Sequence, residues 1–357
     1  MKVVLFCTKP YSFSILRPLQ IESEQAGDEI IWYIDSEIVN IFPFKNDSTI
    51  TSSIQDIVDF KADIIFAPGN NVPYFLRGVK VQVFHGLAGE MQGHFRRGKK
   101  GHFRIRNYFD LYLTSGAFFT ERFNKLSKKH GNFEVIETGW CKLDALFIQQ
   151  NNFKEEKQDL LKKHKAQKIL LFAPTFSPSL TSAEALFNEI ITLSKNPDYL
   201  ILVKFHDKMN KDVKTKYIQA AQPLDNLVIV DNPDISKYLI LSDLMISDTS
   251  SVIYEFLFLD KPVITLKSSS GNIKWTDIED SKELVSSVES VLKSDIHKEN
   301  RQWIIDNYHP LSDGKSAKRM IEAVKNWLTK HPVPEKRKLS LLRKWKMSRK
   351  YGKIKNA

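Results

Sequence analysis

Four hydroxyl side chains and one carboxylate occupy five consecutive positions, Ser247, Asp248, Thr249, Ser250 and Ser251. They stand between the apolar run "LMI" and the bulky run "VIYEFLFL", which is followed by the β-branched "KPVITL". This pattern reads as strand, turn, helix, strand. The turn then lies at the carboxyl end of a parallel strand and the amino end of a helix, where free N–H groups and the helix dipole attract an anion. Helix capping needs only one such side chain. Four hydroxyls with a carboxylate favour a phosphate-binding turn over capping alone. Glu255, four residues beyond Ser251, falls one helical turn deeper on roughly the same face. A carboxylate there accepts hydrogen bonds from the hydroxyls of a ribose or polyol and repels phosphate. The alternative is an ordinary helix-surface glutamate, which its apolar neighbours make less comfortable.

Two further strand ends carry chemistry. "LLFAPTF" delivers Thr175, and "LILVKFHD" delivers Lys204 and His206. Placed side by side in one sheet, these ends and the hydroxyl turn converge on one crevice. A hydroxyl, cationic side chains and a serine-rich corner are complementary to a diphosphate. In the first half of the chain, His85 closes the strand run "VKVQVFHG" and precedes Gly86. Its imidazole suits a general base at neutral pH, with a buried, hydrogen-bonded histidine as the alternative. The glycine-punctuated loop beyond it carries Arg96, Arg97, Lys99 and Lys100, either a solvated charged loop or a receptor for an anionic acceptor.

The elements that must position these groups repeat along the chain. "VVLFC", "EIIWYI", "ADIIFAP", "VKVQVFHG", "DLYLTSG" and "FEVIETG" are strand candidates, most of them ending in Gly, Pro, Ser or Thr. After the polar segment "QQNNFKEEKQDLLKKHKAQ" the pattern restarts with "KILLFAPT", "YLILVKFH", "NLVIV", "DLMISDTSS" and "PVITL". The spacing predicts two α/β units with parallel sheets and a cleft between them. No G-x-G-x-x-G fingerprint or Walker loop occurs, which disfavours ordinary dinucleotide and P-loop chemistry.

A chain of 357 residues is long enough for two domains. Its two cysteines, Cys7 and Cys141, are far apart and lack metal-ligand spacing, so a reducing compartment is expected and neither a disulfide nor a zinc framework. No run is long enough to span a bilayer, and "MKVVLFCTKP" reads as a first buried strand instead of a signal peptide. The net charge of +11 is concentrated at the end, where residues 331–357 hold ten Lys or Arg and one Glu. Leu341, Leu342 and Trp345 share one face of this segment if it is helical, with Arg343 and Lys344 among the cations around them. That arrangement suits an anionic membrane surface; a solvated disordered tail is the alternative. No motif-bearing domain for nucleic acid accompanies it.

The ordered motifs resemble those of the CDP-glycerol glycerophosphotransferases of teichoic acid and capsule polymer synthesis. They are "FHG" (84–86), "TGWCKLDAL" (138–146), "APT" (173–175), "KFHD" (204–207), "SDTSS" (247–251) and "SDGKSAKRM" (312–320). Phe84 stands where that family has tryptophan, Cys141 and Lys142 where Pro-Arg is common, and Asp207 where proline follows the histidine. The resemblance implies a GT-B-like architecture with an acceptor-side Rossmann-like domain over 1–150 and a nucleotide-binding one over 151–313. A helix over 314–330 would pack back across the domains, ahead of the basic tail over 331–357. It further implies His85 as base and Thr175, His206, Ser250 and Ser251 as diphosphate ligands. No cofactor is expected, and because cations and a helix terminus can neutralise the leaving group, a bound metal is not required. The expected reaction moves a polyol phosphate, glycerol phosphate first, from a CDP-activated donor to a hydroxyl of a polymer or lipid-linked acceptor. It would take place at the cytoplasmic face of the membrane. The alternatives are a GT-B glycosyltransferase using a nucleotide sugar and a nonenzymatic membrane-bound scaffold.

Overall fold

Runs of Val, Ile, Leu and Phe that stay apolar on both faces belong to parallel strands covered by helices on each side. In the computed structural model, which describes residues 1–87, 103–232, 234–270 and 273–352, such runs build two parallel sheets. The first contains β1 (Lys2–Cys7), β2 (Glu29–Ile34), β3 (Ile50–Thr51), β4 (Ile64–Ala67), β5 (Val79–Gln82), β6 (Leu111–Thr114) and β7 (Glu134–Glu137), in the order β3-β2-β1-β4-β5-β6-β7. Its helices are α1 (Ser12–Gln25), α2 (Ile54–Phe60) and α3 (Ala117–His130), with α4 (Asp144–Gln149) leaving it. All six expected strands form. The addition is β3, two residues long and half-buried, too short to leave a periodic signal.

The second sheet contains β8 (Lys168–Phe172), β9 (Tyr199–Lys204), β10 (Leu227–Val230), β11 (Leu244–Ser247), β12 (Val263–Leu266) and β13 (Thr276–Ile278), in the order β10-β9-β8-β11-β12-β13. Every pair is parallel. The helices of this unit are α5 (Lys154–His164), α6 (Phe187–Ser194), α7 (Lys211–Ala221), α8 (Ser236–Leu241), α9 (Val252–Leu257), α10 (Leu284–Lys293) and α11 (Lys298–Tyr308). Leu170, Phe172, Ile201, Val203, Ile246 and Ile264 of the strands pack with Ile190, Tyr217 and Val288 of the helices in one buried cluster. The strand order reverses between β8 and β11, and at such a switch point two neighbouring loops diverge and leave a crevice at the carboxyl ends.

The chain changes unit at residues 145–146 and 306–307, so its last segment returns to the first unit. There α12 (Ser316–Lys330) packs on α1. Two of the sequence motifs become one clasp. The buried Asp144 carboxylate accepts the N–H groups of Ser316 (2.9 Å) and Ala317 (2.6 Å), satisfying the first turn of α12 from outside the helix. Arg319 donates to the Thr138 carbonyl and pairs with Asp313. Gly139 has φ +86°, and an added Cβ would lie 2.4 Å from Ser316 Oγ, so both conformation and space require glycine.

Beyond α12 the basic segment is a strap ending in a helix. The Gly78 N–H donates to the Pro334 carbonyl, the Arg337 N–H to that of Tyr74, and the largely buried Arg337 guanidinium pairs with Asp110 and donates to the Asn107 and Asn132 carbonyls. α13 (Leu341–Tyr351) buries Met347 and sets Tyr351 against Phe6. Its opposite face leaves Leu341, Leu342 and Trp345 exposed at 84%, 63% and 57%. Among the described residues, no helix is long and apolar enough to cross a membrane.

Candidate functional site

In the second unit the expected strand ends do come together. β8 ends at Phe172, and the carbonyl of the next residue, Ala173, accepts the Ser247 hydroxyl of β11 at 2.7 Å. Two residues on, the Thr175 N–H donates to Asp248 at 3.0 Å. Asp248 also accepts the Ser182 N–H and hydroxyl, both at 2.9 Å, and the Thr249 N–H at 2.6 Å. Burial pushes its carboxyl pKa up, and these hydrogen bonds work against that rise. From the β9 end, the exposed His206 ring lies 4.4 Å from that of Phe176, the residue after Thr175. The Lys208 N–H donates to His206 Nδ1 at 3.1 Å. In the neutral ring the proton therefore sits on Nε2, available as a donor. Burial lowers this histidine's pKa, the Asp207 carboxylate raises it, and Lys208, Lys204 and Lys214 lower it further.

Three sequence expectations are corrected by this geometry. Ser247 and Asp248 are fully buried with their polar atoms engaged inside the protein, so they brace the turn and do not face a ligand. That leaves Thr249, Ser250 and Ser251 as the accessible hydroxyls. The helix behind them, α9, spans only six residues, so its dipole is small and the hydroxyls carry the polarity of the corner. Lys204 is buried, its ammonium donating to the Phe205 carbonyl at 2.8 Å, with its pKa lowered chiefly by burial. It lines a cavity of about 780 Å³ at the ends of β9 and β10, together with Asp207, Lys214, Asp231 and Asn232. This volume is within the range of small-molecule pockets, roughly 300–1,000 Å³. Glu255 is buried on α9.

The first unit places His85 just beyond β5, beside the end of β4. The Pro68 carbonyl lies 3.0 Å from His85 Nδ1, and because a carbonyl can only accept, Nδ1 carries the proton and Nε2 the lone pair. The same carbonyl accepts the Gln82 amide at 3.0 Å. Burial lowers the His85 pKa, the Pro68 bond opposes it, and Arg106 adds to the depression. Phe84 holds φ +58°, an uncommon conformation for an aromatic residue, with its ring packed on Tyr112 and Phe123. The Tyr11 ring is 5.2 Å from that of His85. Around Gly86 an added Cβ would meet open space. Arg96, Arg97, Lys99 and Lys100 lie outside the described residues.

Sequence reasoning missed Gln82, Ser182 and Phe176. Gln82 interrupts a strand run with an amide that must find a buried partner, a signal legible in "VKVQVF"; Ser182 and Phe176 sit in a loop with no periodic cue.

Comparison with known proteins agrees with the fold. The structure of the wall teichoic acid polymerase TagF aligns with a TM-score of 0.64 at 15% identity, over 92% of this chain and 89% of that one. A UDP-N-acetylglucosamine 2-epimerase structure from Listeria monocytogenes aligns with a TM-score of 0.66 at 15% identity, over 95% and 99%. The expected GT-B-like class, two Rossmann-like parallel-sheet units, is borne out. In sequence, the teichoic acid ribitol-phosphate polymerase TarL of Staphylococcus aureus is 30% identical over 57% of this chain and 39% of its own length. The teichoic acid poly(glycerol phosphate) polymerase of Bacillus spizizenii is 25% identical over 68% of each. The chain spans about two fifths of the length of the two ribitol-phosphate polymerases it matches. The family model for CDP-glycerol:poly(glycerophosphate) glycerophosphotransferase matches residues 21–269, well over half of the sequence, and this chain belongs to that family.

Proposed function

We propose that the protein transfers a polyol phosphate, glycerol phosphate first, from a CDP-activated donor to a hydroxyl of a teichoic-acid-like polymer or lipid-linked acceptor. The observation that carries this reading is the convergence of Thr175, His206 and the Thr249–Ser251 hydroxyls around the Asp248 brace at the switch point of the second sheet. In the scheme, Thr175, Thr249, Ser250, Ser251 and His206 Nε2–H hold the diphosphate, and Lys204 adds positive charge from the wall of the larger cavity. That cavity takes the nucleoside, and Glu255 accepts from a ribose or polyol hydroxyl. The acceptor oxygen attacks the donor's β-phosphorus. A new P–O bond forms, the bond to the CMP oxygen breaks, and the acceptor proton passes to His85 Nε2. Such a transfer rests on positioning and charge compensation. Gly86 and the basic residues Arg96, Arg97, Lys99 and Lys100 are assigned to the anionic acceptor.

α13 is assigned to the cytoplasmic leaflet. It carries five Lys or Arg residues and no acidic one. Its exposed Leu341, Leu342 and Trp345, with Arg343 and Lys344 beside them, match an anionic lipid surface in both polarity and charge. Sedimentation with phosphatidylglycerol vesicles, lost in Leu342→Glu/Trp345→Glu, tests this assignment.

The test of the reaction is CMP release by the full chain given CDP-glycerol and a lipid-linked acceptor, with CDP-ribitol and UDP-sugars as parallel donors. His85→Asn and His206→Asn should each abolish turnover. Wild-type rates in both variants would refute the site, and release of UDP from a sugar donor alone would favour the glycosyltransferase.

A further inference from the structure

Beside the hydroxyl turn lies a second serine cluster that the scheme above does not use. Beyond β12 the chain runs Ser268, Ser269, Ser270, and this segment is fixed from two sides. The Asp277 carboxylate of β13 accepts the Ser268 N–H at 3.0 Å and the Thr265 hydroxyl at 2.5 Å. From the other side, the Ser269 N–H donates to Thr249 Oγ1 at 3.1 Å, joining the segment directly to the diphosphate turn. With its oxygen accepting that bond, the Thr249 hydroxyl keeps its proton for another acceptor.

Ser269 and Ser270 each hold a hydroxyl oxygen that is shielded from solvent and has no hydrogen-bond partner among the described residues. Burying a hydroxyl unsatisfied costs about 1–3 kcal/mol, so two side by side next to a ligand corner ask for an explanation. Ser270 borders a cavity of about 10 Å³ that it shares with Thr249, Ser250, Ser268, Tyr254 and Trp275. That space holds one oxygen-sized group. Trp275 is itself held by a hydrogen bond from its indole N–H to Thr265 Oγ1 at 2.9 Å, so the wall is built rigidly.

The two cavities lie on opposite sides of the β8–β11 switch point, where the proposed diphosphate corner sits. β9 and β10 lie on one side of it and border the large cavity, while the small one lies on the other side, lined by the turn after β11, by α9 and by the segment joining β12 to β13. A CDP-linked donor has a bulky nucleoside on one phosphate and a small hydroxylated group on the other. We infer that Ser270, with Ser269 beside it, binds a hydroxyl of the transferred polyol and so contributes to the choice of donor. This inference rests on the proposed donor class and extends it to a polyol subsite.

Calorimetric titration of the full chain with CDP, CDP-glycerol and CDP-ribitol tests it, using Ser269→Ala, Ser270→Ala and the double variant. The expected result is a loss of about tenfold or more in affinity for the CDP-polyol that wild type prefers, with CDP itself bound within twofold of wild type. Thermal melting provides the second readout. Removing an unpartnered buried hydroxyl should leave Tm unchanged or raise it. Unchanged CDP-polyol affinity would mean that the cavity holds only a water, an equal loss for CDP would mean that the segment merely supports the diphosphate turn, and a fall in Tm would mean that the hydroxyls serve the fold. Each of these overturns the inference while leaving the proposed reaction standing. Wild type that binds neither CDP nor a CDP-polyol would overturn the proposed function, and the subsite with it.

Discussion

Asp248 is the residue whose removal tests the architecture of the donor corner most directly. Asp248→Ala deprives three backbone N–H groups, of Thr175, Ser182 and Thr249, and the Ser182 hydroxyl of their acceptor. The two Ser182 donors are buried and would cost about 1–3 kcal/mol each when orphaned, the part-buried Thr175 and Thr249 N–H groups less, and relief of the buried carboxylate's desolvation works in the opposite direction, so a net loss of about 3–5 kcal/mol is expected. For a unit of this size, about 2–4 °C of Tm accompanies each kcal/mol, and the transition should fall by roughly 6–20 °C. Asp248→Asn keeps one carbonyl oxygen as acceptor and should lose about half as much. The pH dependence has a definite sign. The folded-state pKa is raised above the ordinary value of 3.8, so in the window between the two the folded chain binds more protons than the unfolded one. The contribution of this residue to stability therefore declines as pH rises through that window and is flat above it. Asp248→Asn removes the slope. Differential scanning calorimetry from pH 3 upward, paired with CDP titration, measures all of this. If Asp248→Ala melts within about 2 °C of wild type and binds CDP unchanged, the brace is not what holds the turn.

Three further outcomes follow from the first unit. If His85 acts as the neutral base, kcat/KM for CMP release should fall on acidification only below the ordinary imidazole value of 6.5, because burial depresses its pKa; Arg106→Gln should move that limb upward, as a pH–rate profile will show. Gly139→Ala combines a left-handed backbone with a Cβ placed 2.4 Å from Ser316 Oγ and should cost about 2–4 kcal/mol in urea unfolding. Arg337→Ala leaves the mostly buried Asp110 without its guanidinium and should cost about 3–5 kcal/mol. The released strap should then be cut by trypsin ahead of the rest of the chain.

Much of the fold was legible because it is written locally. Each long strand is a continuous run of Val, Ile, Leu or Phe, and parallel strands are buried on both faces, so their signal does not depend on knowing their neighbours. Only β3 and β13 escaped, at two and three residues. The hydroxyl turn was legible for the same reason, since Ser, Thr and Asp crowded at a strand end are unusual whatever surrounds them. The roles within that turn were not. Whether Asp248 meets a ligand or a backbone depends on Ser182, 66 positions away, and whether Ser247 is exposed depends on Ala173, 74 positions away.

The amino-acid sequence by itself determined the two parallel α/β units, the strand ends that bear polar chemistry, the charge of the final segment and the family the chain resembles. Hydrophobic periodicity and turn composition act over a few residues, so these features survive without any knowledge of contacts. Only the tertiary structure decided which hydroxyls brace the corner and which remain accessible, that Asp144 caps a helix 172 residues later, and that the basic segment is clasped through Arg337 before it presents Leu341, Leu342 and Trp345. A hydrogen bond joins groups that the strand order brings within about 3 Å, and strand order is a property of the whole sheet, not of any stretch of sequence within it.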